Sequence, residues 1–231
     1  MSGSDGVGVS AIEIVEDFSA TARCDEGFLR LRRLRCRNRR EDGSQSKVYR
    51  VDVVDRPCVD AVAVLIWRRS DEGIEILLRE GLRPAAYLRR EQHLPLPDPT
   101  DHLTVREIVA GLLEPSDRGE EGVRARAVAE VWEEGGFRVE PEAVRMLGPA
   151  FLVAPGILSE KIFLTEVEVT GLPQEVPPTD GSPLEEGARL SWMPLAEVVP
   201  ACLDGRLLDA KTELAARRFL DQQAGVQGQG S

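Results

Sequence analysis

The chain reads as an α/β protein, a mixed sheet sandwiched between helices and preceded by a small N-terminal antiparallel sheet. Three observations predict this. Residues 61–67 (Ala-Val-Ala-Val-Leu-Ile-Trp) form a continuous apolar run, as a strand covered on both faces requires. Further strand-like segments near 73–78, 144–153, 161–169 and 189–192 are interleaved with helical ones near 119–134, 195–203 and 210–221, the mixture that builds an α/β/α sandwich. Residues 28–37 alternate partly between apolar side chains and arginines, as a half-exposed strand does.

Each element has a local reason. After the Arg-rich strand, Asp42-Gly43-Ser44 is a turn, and residues 47–54 alternate again, so the two segments pair as a hairpin. Ser70-Asp71-Glu72 turns the buried strand back into residues 73–78. Residues 92–101 are rich in Pro, Asp and His and are expected as a loop overhanging a site. Ala125, Val128 and Trp132 give the helix at 119–134 its expected apolar stripe. A Pro/Gly-rich loop at 171–183 precedes the last strand. Residues 1–10 and 223–231, rich in Gly, Ser and Gln, are expected to be disordered tails. The domain reading is therefore a hairpin region over 11–57 and the main domain over 58–222.

Composition narrows the classes. A chain of 231 residues with 42% hydrophobic and 30% charged residues can bury a full core. Its net charge of −11 argues against a general nucleic-acid binder, which needs a positive footprint. The arginines of residues 28–37 therefore read first as a solvated sheet face. Cys24, Cys36, Cys58 and Cys202 are scattered without a Cys-x-x-Cys pair, which points to reduced thiols rather than zinc or disulfides. The start has no basic-then-apolar signal pattern, and no apolar run approaches the roughly 18 residues of a membrane span. The expectation is a soluble, cytoplasmic protein. His93 and His102, the only histidines, lack metal-ligand spacing and read as loop polarity.

The most informative stretch is residues 129–137, Ala-Glu-Val-Trp-Glu-Glu-Gly-Gly-Phe. Glu130, Glu133 and Glu134 fall at i, i+3 and i+4, which on a helix gathers three carboxylates on one face, roughly 5–6 Å apart. Like charges that close repel, and a hard divalent cation resolves the conflict. Magnesium takes carboxylate oxygens at about 2.0–2.1 Å and keeps positions open for water and phosphate. Two glycines then end the helix.

With its flanks, this stretch resembles the Nudix box, Gly-x5-Glu-x7-Arg-Glu-U-x-Glu-Glu-x-Gly-U, where U is bulky and apolar. Glu121, Glu130, Val131, Glu133, Glu134, Gly136 and Phe137 hold their pattern positions. Two departures stand out. Ala129 occupies the Arg position, and nine residues separate Gly111 from Glu121, so the loop around 115–119 reads as a four-residue insertion. Arg126, one helical turn before Glu130, is a possible replacement brace.

Further segments are similar to the ADP-ribose and nucleotide-sugar branch of Nudix hydrolases: residues 77–84 with Arg83, 107–111 (Glu-Ile-Val-Ala-Gly), 154–160 (Ala-Pro-Gly-Ile-Leu-Ser-Glu) and 205–212 with Asp-Ala-Lys-Thr. The resemblance implies a Nudix-type sandwich and metal-dependent cleavage of a nucleoside diphosphate sugar. It assigns Glu130, Glu133 and Glu134 to metal, with the Ala110 carbonyl as a further ligand. Glu133 and Glu134 also count as catalytic, beside Glu160 as base. Arg83 would grip the diphosphate, where a guanidinium fork fits phosphate oxygens. Glu107 would position a sugar hydroxyl or a second metal. Mg2+ is the expected cofactor, with Mn2+ an alternative. The partners implied are a small nucleoside diphosphate substrate and a second copy of the chain, paired through the N-terminal sheet. Neither nucleic acid nor membrane is implied. The competing reading is a nucleotide-sugar sensor of the same fold, weak or inactive in hydrolysis because of Ala129.

Overall fold

The computed structural model describes residues 23, 26–178 and 182–228, the side chains of 225–228 excepted. Its first element is a separate two-stranded antiparallel ribbon, β1 (Arg30–Cys36) and β2 (Tyr49–Asp55), in register from Arg30 opposite Asp55 to Cys36 opposite Tyr49. Two strands alone are marginal in water, and the ribbon is fastened to the rest of the chain. The Val54 amide donates to the Ile157 carbonyl at 2.8 Å, and Val54 bridges Leu158 in parallel.

The main sheet is built around β3 (Ala61–Ser70), which turns through Asp71-Glu72 into antiparallel β4 (Gly73–Leu82). Gly73 sits at φ +118°, a conformation that side-chain-bearing residues resist. A one-turn helix, α1 (Pro84–Tyr87), follows, then β5 (Thr104–Glu107) against β4 and β6 (Val109–Leu112) against the first half of β3. Helix α2 (Gly119–Glu133) leads to two-residue strands β7 (Arg145–Met146) and β8 (Phe151–Leu152). Strand β9 (Lys161–Glu168) runs parallel to β3, and β10 (Arg189–Pro194) edges β4. Helices α3 (Leu195–Leu203) and α4 (Ala210–Gly228) close the order. The sheet runs β10-β4-β3-β9-β7 and is mixed, as expected.

Alternation along β3 explains the layers. Ala63, Leu65 and Trp67 pack under α3 and α4, where Trp67 meets Phe219 at a ring separation of 5.2 Å. Val62, Val64 and Ile66 pack under α2. At about 25 cal/mol per Å2 of apolar surface, these two layers supply the main driving force for folding.

Three sequence expectations need correction. The strand expected over 144–153 breaks into β7 and β8 because Gly148 adopts φ +77° and Pro149 has no amide to donate. Arg218 Nη1 takes up the exposed carbonyls there, donating to Leu147 at 3.0 Å and Pro149 at 2.6 Å. The buried stripe of α2 is Val123, Ala127 and Val131, whereas Ala125 is exposed and Trp132 lies under the Arg138 guanidinium. Finally, α4 runs on through Gly228, into the stretch read as a C-terminal tail. Residues 229–231 and the N-terminal tail lie outside the described residues, as does Cys24; Cys36, Cys58 and Cys202 are free thiols. Among the described residues no helix is long and apolar enough to cross a membrane.

Candidate active site

The end of α2 is where the chain concentrates buried acid. Glu130 is only 8% exposed, and its carboxylate rests against Gly111 of β6. A Cβ at Gly111 would stand 1.7 Å from Glu130 Oε1, so only glycine leaves room. Burial pushes the Glu130 carboxyl up to about 7, and the neighbouring charges of Glu134 and Glu133 push the same way, against weaker opposition from Arg126 and Arg79.

Glu134 follows as the C-cap of α2. Its Oε2 accepts from the Ala110 amide at 3.2 Å, and its Oε1 lies 3.5 Å from Arg79 Nη1. Burial raises its pKa too, while Arg79 and the Ala110 amide pull it back. Glu133 is exposed and walls a cavity of about 470 Å3 with Arg79, Glu134, Gln174, Glu185 and Arg189. The acid trio is thus divided: two carboxylates turn inward, and the third faces solvent within electrostatic reach.

Among the described residues, no three acid, imidazole or thiol groups stand together as a ready-made metal cluster. What a divalent ion would find is the inward pair, Glu130 and Glu134. Both carboxylates are desolvated, and the Glu134 charge raises the proton affinity of Glu130 further, so the pair has an unmet need for positive charge, and hard oxygen donors suit magnesium or manganese. In that sense the residues fit the cation.

A second group of expected residues meets in one cavity of about 330 Å3, lined by Arg56, Arg83, Glu107, Ala110, Glu160 and Lys211 among others. Glu160 is ion-paired with Arg56. Glu107 accepts from Arg83 Nε at 2.6 Å through one oxygen and binds Lys211 through the other. The Asp-Ala-Lys-Thr segment explains this precision. Asp209 Oδ2 caps α4 by accepting from the Thr212 amide at 2.9 Å, and Asp209 Oδ1 holds Lys211 Nζ at 2.9 Å. Thr212 Oγ1 then accepts from the Ile108 amide at 2.9 Å, which ties α4 to the joint between β5 and β6.

Arg126 is engaged elsewhere, with Glu114 at 3.0 Å and Asp117 at 3.0 Å, and reaches Glu130 only through the field. Arg79 is the residue that sequence reasoning passed over. It is 8% exposed in a mostly apolar strand, and it shares its strand face with Leu77, which packs towards α2. A charge at such a position requires a buried partner. Residues 92–101 border a different cavity, of about 380 Å3, with His93 and His102 in its wall and none of the expected site residues.

No protein-family model matches the chain, and no curated protein does. A solved structure described as the crystal structure of an ADP compounds hydrolase is similar over 91% of this chain and 91% of its own, with a TM-score of 0.58 and 19% identity. At that identity the likeness establishes the fold: a small antiparallel sheet followed by a larger mixed sheet between helices.

Proposed function

We propose that this protein is a metal-dependent hydrolase of the diphosphate linkage in ADP-ribose or a related nucleoside diphosphate sugar. The carrying observation is the buried pair Glu130 and Glu134 against Ala110–Gly111, adjoining a cavity that holds Glu160, Arg83 and Glu107. The fold shared with an ADP compounds hydrolase supports the same class.

Glu130 and Glu134 would hold the cation, with Glu133 and the Ala110 carbonyl as further ligands. Bound there, it would polarise phosphoryl oxygens and offset charge on the departing phosphate. Arg79 holds Glu134 in place from its far side. Arg83 offers its guanidinium to the diphosphate, which competes with Glu107 for it. Water attacks one phosphorus, the bridging P–O bond breaks, and Glu160 takes the proton of the attacking water. Its ion pair with Arg56 holds the Glu160 carboxylate at the cavity wall. The products are a nucleoside monophosphate and a sugar phosphate. Two copies would pair through the N-terminal ribbon.

Phosphate release from ADP-ribose and UDP-glucose, with magnesium or manganese and a coupled phosphatase, tests this. Turnover abolished by Glu134→Gln is the expected result. One observation favours the sensor reading: Ala129 stands at the box Arg position. Tight binding of either compound without cleavage under any divalent metal would decide for it.

A further inference from the structure

The ribbon carries an electrostatic conflict that the hydrolase reading leaves unused. In the β1–β2 register Arg35 lies directly opposite Arg50, and Arg33 lies opposite Asp52. Alternate positions along a strand share a face, so three guanidinium groups and one carboxylate project from the same side. Like charges directly across an antiparallel pair destabilise it. Arg33, Arg35 and Arg50 are exposed and form no ion pair with any described residue. Between Arg30 and Arg50 the chain holds nine basic residues against two acidic ones, although its net charge is −11.

These arginines do not face open solvent alone. The ribbon and the turn at Gly156–Ile157 enclose a groove of about 800 Å3, lined by Arg33, Arg35, Arg50 and Asp52 on one side. At Gly156 nothing stands within 4 Å of where a Cβ would be, so a ligand has free access to the backbone there. The turn belongs to the segment that bears Glu160 and is fastened to the ribbon by the Val54–Ile157 hydrogen bond at 2.8 Å.

We infer that this groove binds a small multivalent phosphate anion, of the di- or triphosphate class. Three guanidinium forks on adjacent strand positions supply paired donors to several phosphate oxygens. The anion removes the Arg35–Arg50 repulsion and bridges the ribbon to the Gly156–Ile157 turn. A nucleic-acid strand is disfavoured, because a polyanion needs an extended positive track and this groove is short and set in an acidic molecule. Binding here does not depend on the hydrolase reading.

The test is calorimetric titration of the full chain with inorganic triphosphate in EDTA and low salt, where a cation-dependent site is silenced. Saturable binding is expected, weakened at least tenfold by Arg35→Gln with Arg50→Gln and unchanged by Arg83→Ala. Raising salt several-fold should weaken it further. Both substituted arginines are exposed, so the double variant should fold; without anion it should melt at the same temperature as the parent or higher. Equal affinity in parent and double variant would overturn the inference. So would loss of binding in Arg83→Ala alone, or tighter binding of a single-stranded oligonucleotide than of triphosphate. Inactivity towards nucleotide sugars with the triphosphate result intact would sink only the hydrolase reading.

Discussion

Arg79 Nη1 lies 3.5 Å from Glu134 Oε1, and the same guanidinium reaches Glu185 Oε1 through Nη2 at 3.1 Å. One buried cation thus joins the end of α2 to the loop before β10. Replacing Arg79 with Met keeps the volume but strands Glu134. Breaking a buried pair from one side typically costs about 3–5 kcal/mol. The variant should lose stability of that order in urea at pH 8, and less at pH 5, because burial already raises the Glu134 pKa and a falling pH eases neutralisation of the stranded carboxylate. An equal loss at both values would mean that packing, not charge, explains Arg79.

Glu130 sets a pH dependence whose sign is opposite to that of an ordinary salt-bridged acid. Its folded value, about 7, exceeds the unfolded 4.5. Below pH 4.5 both states hold the proton and no penalty exists. Between 4.5 and 7 the unfolded chain releases it first, so stability falls as pH rises, by up to about 3 kcal/mol. Metal-free protein carrying Glu130→Gln should therefore melt several degrees above the parent at pH 8 and close to it at pH 5. Calorimetry in EDTA reads this directly, and a parent insensitive to pH over that interval would contradict it.

Gly111→Ala places a methyl group 1.7 Å from Glu130 Oε1. The carboxylate must leave its seat. The expected result is loss of stabilisation by magnesium, seen as a melting temperature that no longer rises with added metal. Turnover should fall at least a hundredfold, while circular dichroism stays that of the parent.

The α4 cap separates positioning from chemistry. Thr212→Val leaves the buried Ile108 amide without its acceptor, which costs about 1–3 kcal/mol. Because Lys211 and Glu107 follow α4, KM should rise more than kcat falls. A variant with normal KM and reduced kcat would show that this network acts on the reacting atoms instead.

Most of the fold was legible because the apolar run at 61–67 admits few other readings, and the turn at Asp71-Glu72 and the cap at Asp209 are short-range signals. The break at Gly148-Pro149 was legible in principle, as both residues interrupt strands. The face that α2 buries was not, since Ala125 and Val128 are as apolar as Val123 and Ala127 and only the packing chooses. In the site, the residues that meet in the 330 Å3 cavity were marked by local motifs. The long-range ion pairs were not: Arg56 finds Glu160 and Arg79 finds Glu134, 104 and 55 positions away, and Lys211, though marked by the Asp-Ala-Lys-Thr segment, reaches Glu107 104 positions away, separations that no helical or strand spacing encodes.

The parallel pairing of β3 with β9 has a consequence for synthesis. Ala61 finds its neighbour at Ile162, so the most water-averse strand of the molecule leaves the ribosome long before the strand that shields its flank. Until then β3, β4 and β6 form an antiparallel leaflet bare along the β3 edge and along the β4 edge that β10 later covers, the kind of surface that invites clumping between nascent chains. Yield in a cellular host should therefore respond to holdase chaperones and slower translation, and cooling the culture should rescue more protein than strengthening the finished core.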